Sequence, residues 1–441
     1  MCGIFAIFNA ENAAELAVIG LHGNQHRAID YAGIVSSDGT NLYRQCGAGL
    51  ARQVFADKAV IDRLHGRHAL GHIRYPTVKD DETRDNIQPL VGNYGGMSFA
   101  IAHNGNITNT EELREFFHGP LATSIDTEYL VRLIQDAYTG DFEGDLARVL
   151  RLVKGSFSLC ILLPDRLIAV RDPQGNRPLS IGVANGSHFV SSETCAFGNV
   201  DARPVCDVLA GTMTTISADG LKTKRYAEAA EKKCRFEAIY FTHPSSKVFG
   251  EGVTTFRMRL GEALERHCPV PGATIVTPIP DSAIYMAQGY AKSGRSGEYF
   301  PVINRSHYVG RTFIAATQAK RDEDVAQKFS FTVEKIAGEK IVVIDDSIVR
   351  GTTLPKIVQH LRKYGAREVH VRIGCPPITH SCHYGINTPN RSRLIASRKT
   401  TEEISACVGA DSLEYLPLEV LRELSPNPDS FCYSCMTGEY W

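Results

Sequence analysis

The sequence predicts a two-domain chain of mixed α/β and α+β class, and three observations carry that prediction. Its 441 residues exceed what one hydrophobic core usually organises. Met1 to Phe8 is a run of apolar and aromatic residues that reads as a buried strand. Ile341-Val342-Val343-Ile344 carries a β-branched residue at every position, as strands buried on both faces of a parallel sheet do. The polar stretch Tyr226 to Lys233 is the expected boundary, giving domains over 1–230 and 231–441.

In the first half, Cys2 is the most informative residue. Loss of Met1 would leave a thiol and an α-amino group on one residue. A free α-amino group has a pKa of roughly 7.7–8.0, so its neutral form can take the proton of the attacking thiol. Gly3 adds no side chain to crowd the approach of a substrate carbonyl. His72-Ile73-Arg74-Tyr75-Pro76-Thr77 ends a short apolar stretch with a cation and a hydroxyl, suited to gripping a carboxylate. Phe99 to His103 reads as a strand broken by Asn104-Gly105-Asn106, where the Asn104 amide and the Gly105 N–H could form an oxyanion hole. Ser124 to Glu128 reads as a helix cap, with Asp126 placed to accept an ammonium group.

In the second half, the 341–344 strand runs into Asp345-Asp346-Ser347-Ile348-Val349-Arg350-Gly351-Thr352-Thr353 and then a helix-patterned stretch, Leu354 to Tyr364. Two carboxylates and a Gly/Thr-rich turn at a helix N-terminus make a phosphate and sugar site. The carboxylates suit ribose hydroxyls and can help keep Mg²⁺ nearby. A Walker A loop is excluded, because its Gly-Lys-Thr ending is missing. An earlier strand, Ala273 to Pro280, ends in Asp281-Ser282, and Phe236 to Phe241 is expected to start the second sheet region.

A net charge of −1 gives no basic field for nucleic acid or an anionic membrane. No apolar run approaches the ~20 residues of a membrane span. The N-terminus lacks a basic segment and an apolar core, so a cytoplasmic protein is expected. Its twelve cysteines are then not expected to form structural disulfides. Cys160, Cys195 and Cys268 read as core or interface thiols. Phe431 to Gly438 holds a C-x-x-C, Cys432 and Cys435, in a turn-rich tail, and two more thiolates would complete a site for Zn²⁺ or an iron–sulfur cluster.

Taken in this order, the first-half motifs, with Gln25-His26-Arg27, Ala169 to Leu179 and Ser192-Glu193-Thr194, resemble the class II, N-terminal-nucleophile glutamine amidotransferases. The string 345–353 resembles the type I phosphoribosyltransferase signature, and Asp281-Ser282 resembles that family's pyrophosphate-binding turn. Together with Tyr308 to Ile314 and Gly409 to Leu413, the whole chain resembles the glutamine phosphoribosylpyrophosphate amidotransferases, in their iron–sulfur-containing subgroup. The resemblance implies an αββα sandwich followed by a parallel-sheet domain. It implies that Cys2 hydrolyses glutamine through a thioester, with Asn104 and Gly105 as the oxyanion hole and Arg74, Thr77 and Asp126 binding glutamine. The ammonia would replace pyrophosphate at C1 of phosphoribosyl pyrophosphate, the first committed step of purine synthesis. That substrate would be held by Arg311, Asp345, Asp346, Ser347, Arg350, Gly351, Thr352 and Thr353, with Mg²⁺ at Ser282, Asp345 and Asp346.

The resemblance further implies a [4Fe–4S] cluster on Cys234, Cys382, Cys432 and Cys435, purine nucleotides as feedback inhibitors, and a homodimer or homotetramer. Cluster-bearing members often carry a cleaved propeptide, whereas only Met1 precedes the cysteine here. Several loops depart from the family pattern. Arg27 is followed by Ala28-Ile29 in place of Gly-Gln. Val78 to Thr83 replaces a small-residue stretch, and Thr242-His243-Pro244-Ser245-Ser246 stands where Ala-Arg-Pro-Asp-Ser is usual. Arg305-Ser306-His307 replaces Lys-Asn-Arg, and Asp322-Glu323-Asp324 places acid in a loop that is usually basic. These departures leave open a paralogue with another phosphoribosyl donor or acceptor, or a non-catalytic nucleotide sensor.

Overall fold

The computed structural model describes residues 1–75, 84–292, 294–306 and 328–441. Thr77, Arg311, the segment Tyr308 to Ile314, the stretch Val78 to Thr83 and the acidic triplet 322–324 lie outside the described residues.

Why the first strand is apolar throughout follows from its place between two layers. Gly3–Phe8 lies inside a seven-stranded antiparallel sheet, paired on one side with His68–Arg74 and on the other with Ser187–Ser191. Ile4, Ala6 and Phe8 point into the sandwich, against Ala100, Ala102, Cys160 and Leu162 of a six-stranded antiparallel sheet. Phe5 and Ile7 point the other way, onto Ala14, Ala17 and Leu21 of the helix Ala13–Gly23. The helices Thr127–Asp136 and Phe142–Leu150 cover the far face of the second sheet through Leu130, Ile134 and Leu146. Alternate side chains of a strand face opposite layers, so a helix–sheet–sheet–helix sandwich demands strands that are apolar at every position.

The same argument holds in the second half. Lys340–Asp345 is the middle strand of a five-stranded parallel sheet, between Ile275–Pro278 and Glu368–Ile373. Ile341 and Val343 pack against Leu354, Ile357, Val358 and Leu361 of the helix Leu354–Lys363. Val342 and Ile344 pack against Phe256, Leu260 and Leu264 of the helix Val253–His267 on the opposite face.

Two local expectations are corrected. The Asn104-Gly105-Asn106 triplet does not end a strand. Met97–Ile107 runs through it, paired to Gly155–Leu163 as far as Ile107 opposite Gly155. Phe236 to Phe241 does not begin a sheet. Glu237–Phe241 is a short π-helical turn, and the buried guanidinium of Arg257 holds two of its carbonyls, Ala238 O at 3.0 Å and Tyr240 O at 3.0 Å, and that of the following Thr242 at 2.8 Å.

Candidate active sites

The first site opens where Gly3–Phe8 and His68–Arg74 leave their sheet. Gly3 pairs with Ile73, which puts Cys2 level with the buried Arg74. The backbone nitrogen of Cys2 lies 3.3 Å from Asn104 Oδ1. Asn104 Nδ2 is buried and has no hydrogen-bond partner. A buried donor held beside a nucleophile and facing no acceptor is what an oxyanion site requires. Gly105 follows on the same strand, and its lack of a side chain is a steric necessity: a Cβ there would come within 1.9 Å of Ser156 O on the neighbouring strand. Gly3 proves to be a packing residue as well. A Cβ at that position would meet Ile73 Cγ1 at 2.9 Å and Asn24 Cβ at 3.2 Å, so the glycine lets strand and helix close together.

Asp126 precedes the first turn of Thr127–Asp136 without capping it. Its Oδ2 accepts the Ile107 N–H at 2.9 Å, and its Oδ1 lies 3.5 Å from His103 Nδ1. Burial works against the carboxylate, but His103 and the Ile107 amide outweigh it and hold Asp126 below its ordinary pKa. His103 is likewise penalised by burial, yet Asp126 and the Ser156 carbonyl raise its pKa, so the two form an ion pair beneath the site. His72 is different: burial takes it down to about 3, and its neutral ring donates from Nε2 to His103 O at 3.1 Å.

Met1 still precedes Cys2, and it is 3% exposed. It packs among second-half residues that include Cys234, Phe236 and Phe431. Its ammonium group is lowered to about 6, chiefly by burial with help from Arg27 and Arg177, while the Cys2 thiol and Glu237 oppose the fall.

The second site lies at the carboxyl ends of the parallel strands. Asp345 closes the Lys340–Asp345 strand, and its Oδ1 accepts the Asp346 N–H at 2.9 Å. Asp346 accepts from the hydroxyl of Ser282 and from Ser347 Oγ at 2.6 Å. Burial raises both carboxyls; the charge of Asp346 adds to the rise at Asp345, while Ser282, Ser347 and Arg257 oppose it at Asp346. Two crowded carboxylates favour a cation or sugar hydroxyls between them. Gly351 turns the loop with φ +69°, a left-handed conformation that suits glycine. Arg350, Thr352 and Thr353 are exposed at the start of Leu354–Lys363, whose first turn has no side-chain cap.

The four tail-associated cysteines converge between the domains. Lys233–Cys234 pairs in parallel with Phe431–Cys432, placing Cys234 beside Cys432. The Cys435 carbonyl accepts the N–H groups of Thr379 and His380 at 3.0 Å each, at the start of the segment that carries Cys382. Burial pushes Cys234 up to about 12 and raises Cys432 and Cys435, and the four thiols feel one another electrostatically. Arg177 Nη2 lies 4.0 Å from Cys382 Sγ. The sequence reading did not discuss Cys375, a fifth and fully buried thiol that burial, Asp346 and Cys234 push up and that in turn raises Cys435. Among the described residues, no three His, Cys, Asp or Glu side chains stand close enough to grip one metal ion.

Of the departures, Ala28 is fully buried and its carbonyl accepts from Gln25 Nε2 at 2.6 Å. The Thr242 to Ser246 segment holds Glu193: the His243 N–H donates to Glu193 Oε2 at 2.8 Å and Ser246 Oγ to the same oxygen at 2.9 Å. Arg305 is paired with Asp281.

Residues 72–199 match the model of a glutamine amidotransferase domain, and residues 273–375 that of a phosphoribosyl transferase domain. The amidophosphoribosyltransferase of Bacillus subtilis is 39% identical over 450 residues, covering 100% of this chain and 94% of that protein. Amidophosphoribosyltransferase 1, chloroplastic, of Arabidopsis thaliana is 40% identical over 447 residues, covering 100% of this chain and 78% of that protein. The solved glutamine phosphoribosylpyrophosphate amidotransferase from B. subtilis, complexed with ADP and GMP, superposes with a TM-score of 0.93 at 38% identity, covering 100% of this chain and 97% of that one. Matched at this identity from end to end, the chain belongs to the amidophosphoribosyltransferase family.

Proposed function

We infer that the chain is a glutamine-dependent amidophosphoribosyltransferase, which releases ammonia from glutamine and joins it to C1 of phosphoribosyl pyrophosphate. The products are 5-phosphoribosylamine, pyrophosphate and glutamate, and the reaction is the first step of purine synthesis. The observation that carries this reading is a Cys2 set against the buried, unpartnered Nδ2 of Asn104, in a chain whose second half ends its central strand at Asp345, followed by Asp346. The Cys2 α-amino group takes the thiol proton, and the thiolate attacks the glutamine carboxamide carbon. Asn104 Nδ2 and the Gly105 N–H receive the oxyanion, while Arg74 and Asp126 hold the α-carboxylate and α-ammonium groups. Mixing the protein with Mg²⁺, phosphoribosyl pyrophosphate and glutamine should release glutamate and pyrophosphate in equal amounts. Glutamate without pyrophosphate would leave only the glutaminase half of the reading standing.

Asp345 and Asp346 suit the ribose hydroxyls, and the loop from Ser347 to Thr353 offers backbone N–H groups to the 5-phosphate. Mg²⁺ commonly takes one or two carboxylates and fills its shell with substrate phosphates and water, so Asp345 and Asp346, with Ser282 beside them, are a fitting protein share. The ion supplies charge neutralisation for the departing pyrophosphate. Purine nucleotides are the proposed feedback ligands, and the relative solved with ADP and GMP supports that reading. A homodimer or homotetramer is the proposed assembly. No described helix is long and apolar enough to cross a membrane.

The four cysteines are the proposed ligands of a [4Fe–4S] cluster, since four thiolates suit such a group. Cys234 pairs with Cys432 across two short strands, and Arg177 lies beside Cys382, a cation suited to an anionic cluster. The cluster would contribute structure, tying the tail to Lys233-Cys234. Anaerobically prepared protein is expected to contain about four irons and four sulfides per chain, and Cys432→Ser should lose them together with several degrees of thermal stability. A single tightly bound zinc would overturn this assignment.

A further inference from the structure

From the first site toward the four cysteines runs a chain of charged side chains that the chemistry above does not use. Arg27, Arg177, Glu193 and Glu237 are each 1% exposed or less. Arg27 Nε donates to the Cys2 carbonyl at 2.7 Å, and its two terminal nitrogens reach Glu193 and Glu237, the latter at 2.5 Å. Glu237 uses its other oxygen to accept from Arg177 Nη1 at 2.7 Å. Arg177 in turn donates from Nε to the Tyr384 carbonyl at 3.0 Å. One carboxylate from the second half therefore connects the nucleophile's own carbonyl to a loop two residues beyond Cys382.

That loop touches the first site by a second route. His383 O accepts from Asn106 Nδ2 at 2.9 Å. Gly385, with φ +102°, lies so near the oxyanion strand that a Cβ would come within 2.8 Å of the Gly105 carbonyl. The chain's last residues clasp the loop from outside. Trp441 stacks on Tyr384 with ring centres 3.4 Å apart, and Tyr440 stacks on His383 at 4.2 Å. Buried, fully engaged ion networks hold one geometry because any displacement strands a charge.

We propose that Glu237 is a positioning residue for the glutaminase: by holding Arg27 and Arg177 at once, it sets the Cys2 backbone from the second domain and makes nucleophile geometry depend on how the Tyr384 loop is seated. The proposal rests on the glutaminase reading of Cys2. It does not require the cysteine site to be filled, although the same loop carries Cys382.

The test is Glu237→Gln, which keeps the shape but loses the charge. Glutaminase kcat should fall about tenfold to a hundredfold, as a misplacement of the order of 1 Å produces. The glutamine KM should stay within about twofold, because Arg74 and Asp126 are untouched. Ammonia-dependent synthesis should stay within about twofold in the same protein. Equal loss of both activities, or a glutamine KM that rises as far as kcat falls, would make the network merely structural and overturn the proposal. If Glu237→Gln does not fold, Trp441→Ala carries the test from the surface. It should lower glutaminase kcat about threefold to tenfold with ammonia-dependent synthesis unchanged, and an unchanged glutaminase would overturn the proposal. A wild-type protein with no glutaminase would instead sink the underlying reading of Cys2.

Discussion

Cys2→Ser is expected to abolish glutamine-dependent synthesis while sparing synthesis from ammonium salts. A serine hydroxyl beside the same α-amino group is a far weaker nucleophile than a thiol, and loss of an enzyme's nucleophile typically lowers kcat by about 10³-fold or more. The Asp345 to Thr353 loop bonds to Ser282, Gly374 and Ile395, all far from that sulfur in the chain. With ammonium chloride as the nitrogen source, pyrophosphate release should therefore stay within about twofold of wild type. Loss of the ammonia-dependent reaction would mean that the two sites are not separable and that Cys2 also serves the phosphoribosyl reaction.

The complementary change, Asp345→Asn with Asp346→Asn, should silence synthesis from either nitrogen source. Burial and mutual crowding hold these carboxylates under charge stress that a cation or sugar hydroxyls would relieve. Two neutral amides lose that attraction for Mg²⁺ and for the positive charge that builds on the ribose ring. An electrostatic clamp of this kind is worth about 10²- to 10³-fold in rate. Glutamine hydrolysis should persist, because Cys2, Asn104 and Asp126 belong to the other domain. Pyrophosphate and glutamate measured side by side would check this, and retention of coupled synthesis in the double variant would remove these carboxylates from the mechanism.

How much of this was legible in the sequence depended on whether a signal was local. Gly3–Phe8 and Lys340–Asp345 declared themselves because both faces of each strand are buried, which forces an apolar residue at every position. The Asp345 to Thr353 loop could be read as a proposed phosphate site because the whole turn is contiguous. Asn104-Gly105 was rightly brought to Cys2, yet read as a strand end. Glycine and asparagine usually mark turns, whereas Gly105 is there because the neighbouring strand passes too close for a Cβ. The π-helical turn at Glu237 was misread for a related reason. Phe-Glu-Ala-Ile-Tyr-Phe has strand composition, but Arg257, twenty residues on, captures its carbonyls. The Arg27–Glu237–Arg177 network could not be paired from sequence, since its members lie far apart in the chain. Its one local trace was a lone acid, Glu237, among five apolar and aromatic residues.

The burial of Met1 places a clock on the making of this protein. Met1, whose removal the proposed nucleophile needs, is enclosed by side chains between positions 234 and 436, all of them synthesised after it. Trimming is therefore open only while the amino-terminal half stands alone, and closure of the second half ends the opportunity. Molecules that close before trimming should persist as a population that makes phosphoribosylamine from ammonia but leaves glutamine intact. Intact-mass measurement against glutaminase activity would reveal them, and a peptidase that cuts before Cys2 should rescue them only after denaturant has parted the halves. Slow synthesis of the second half would then improve the yield of active enzyme, whereas rapid overproduction with scarce peptidase would lower it.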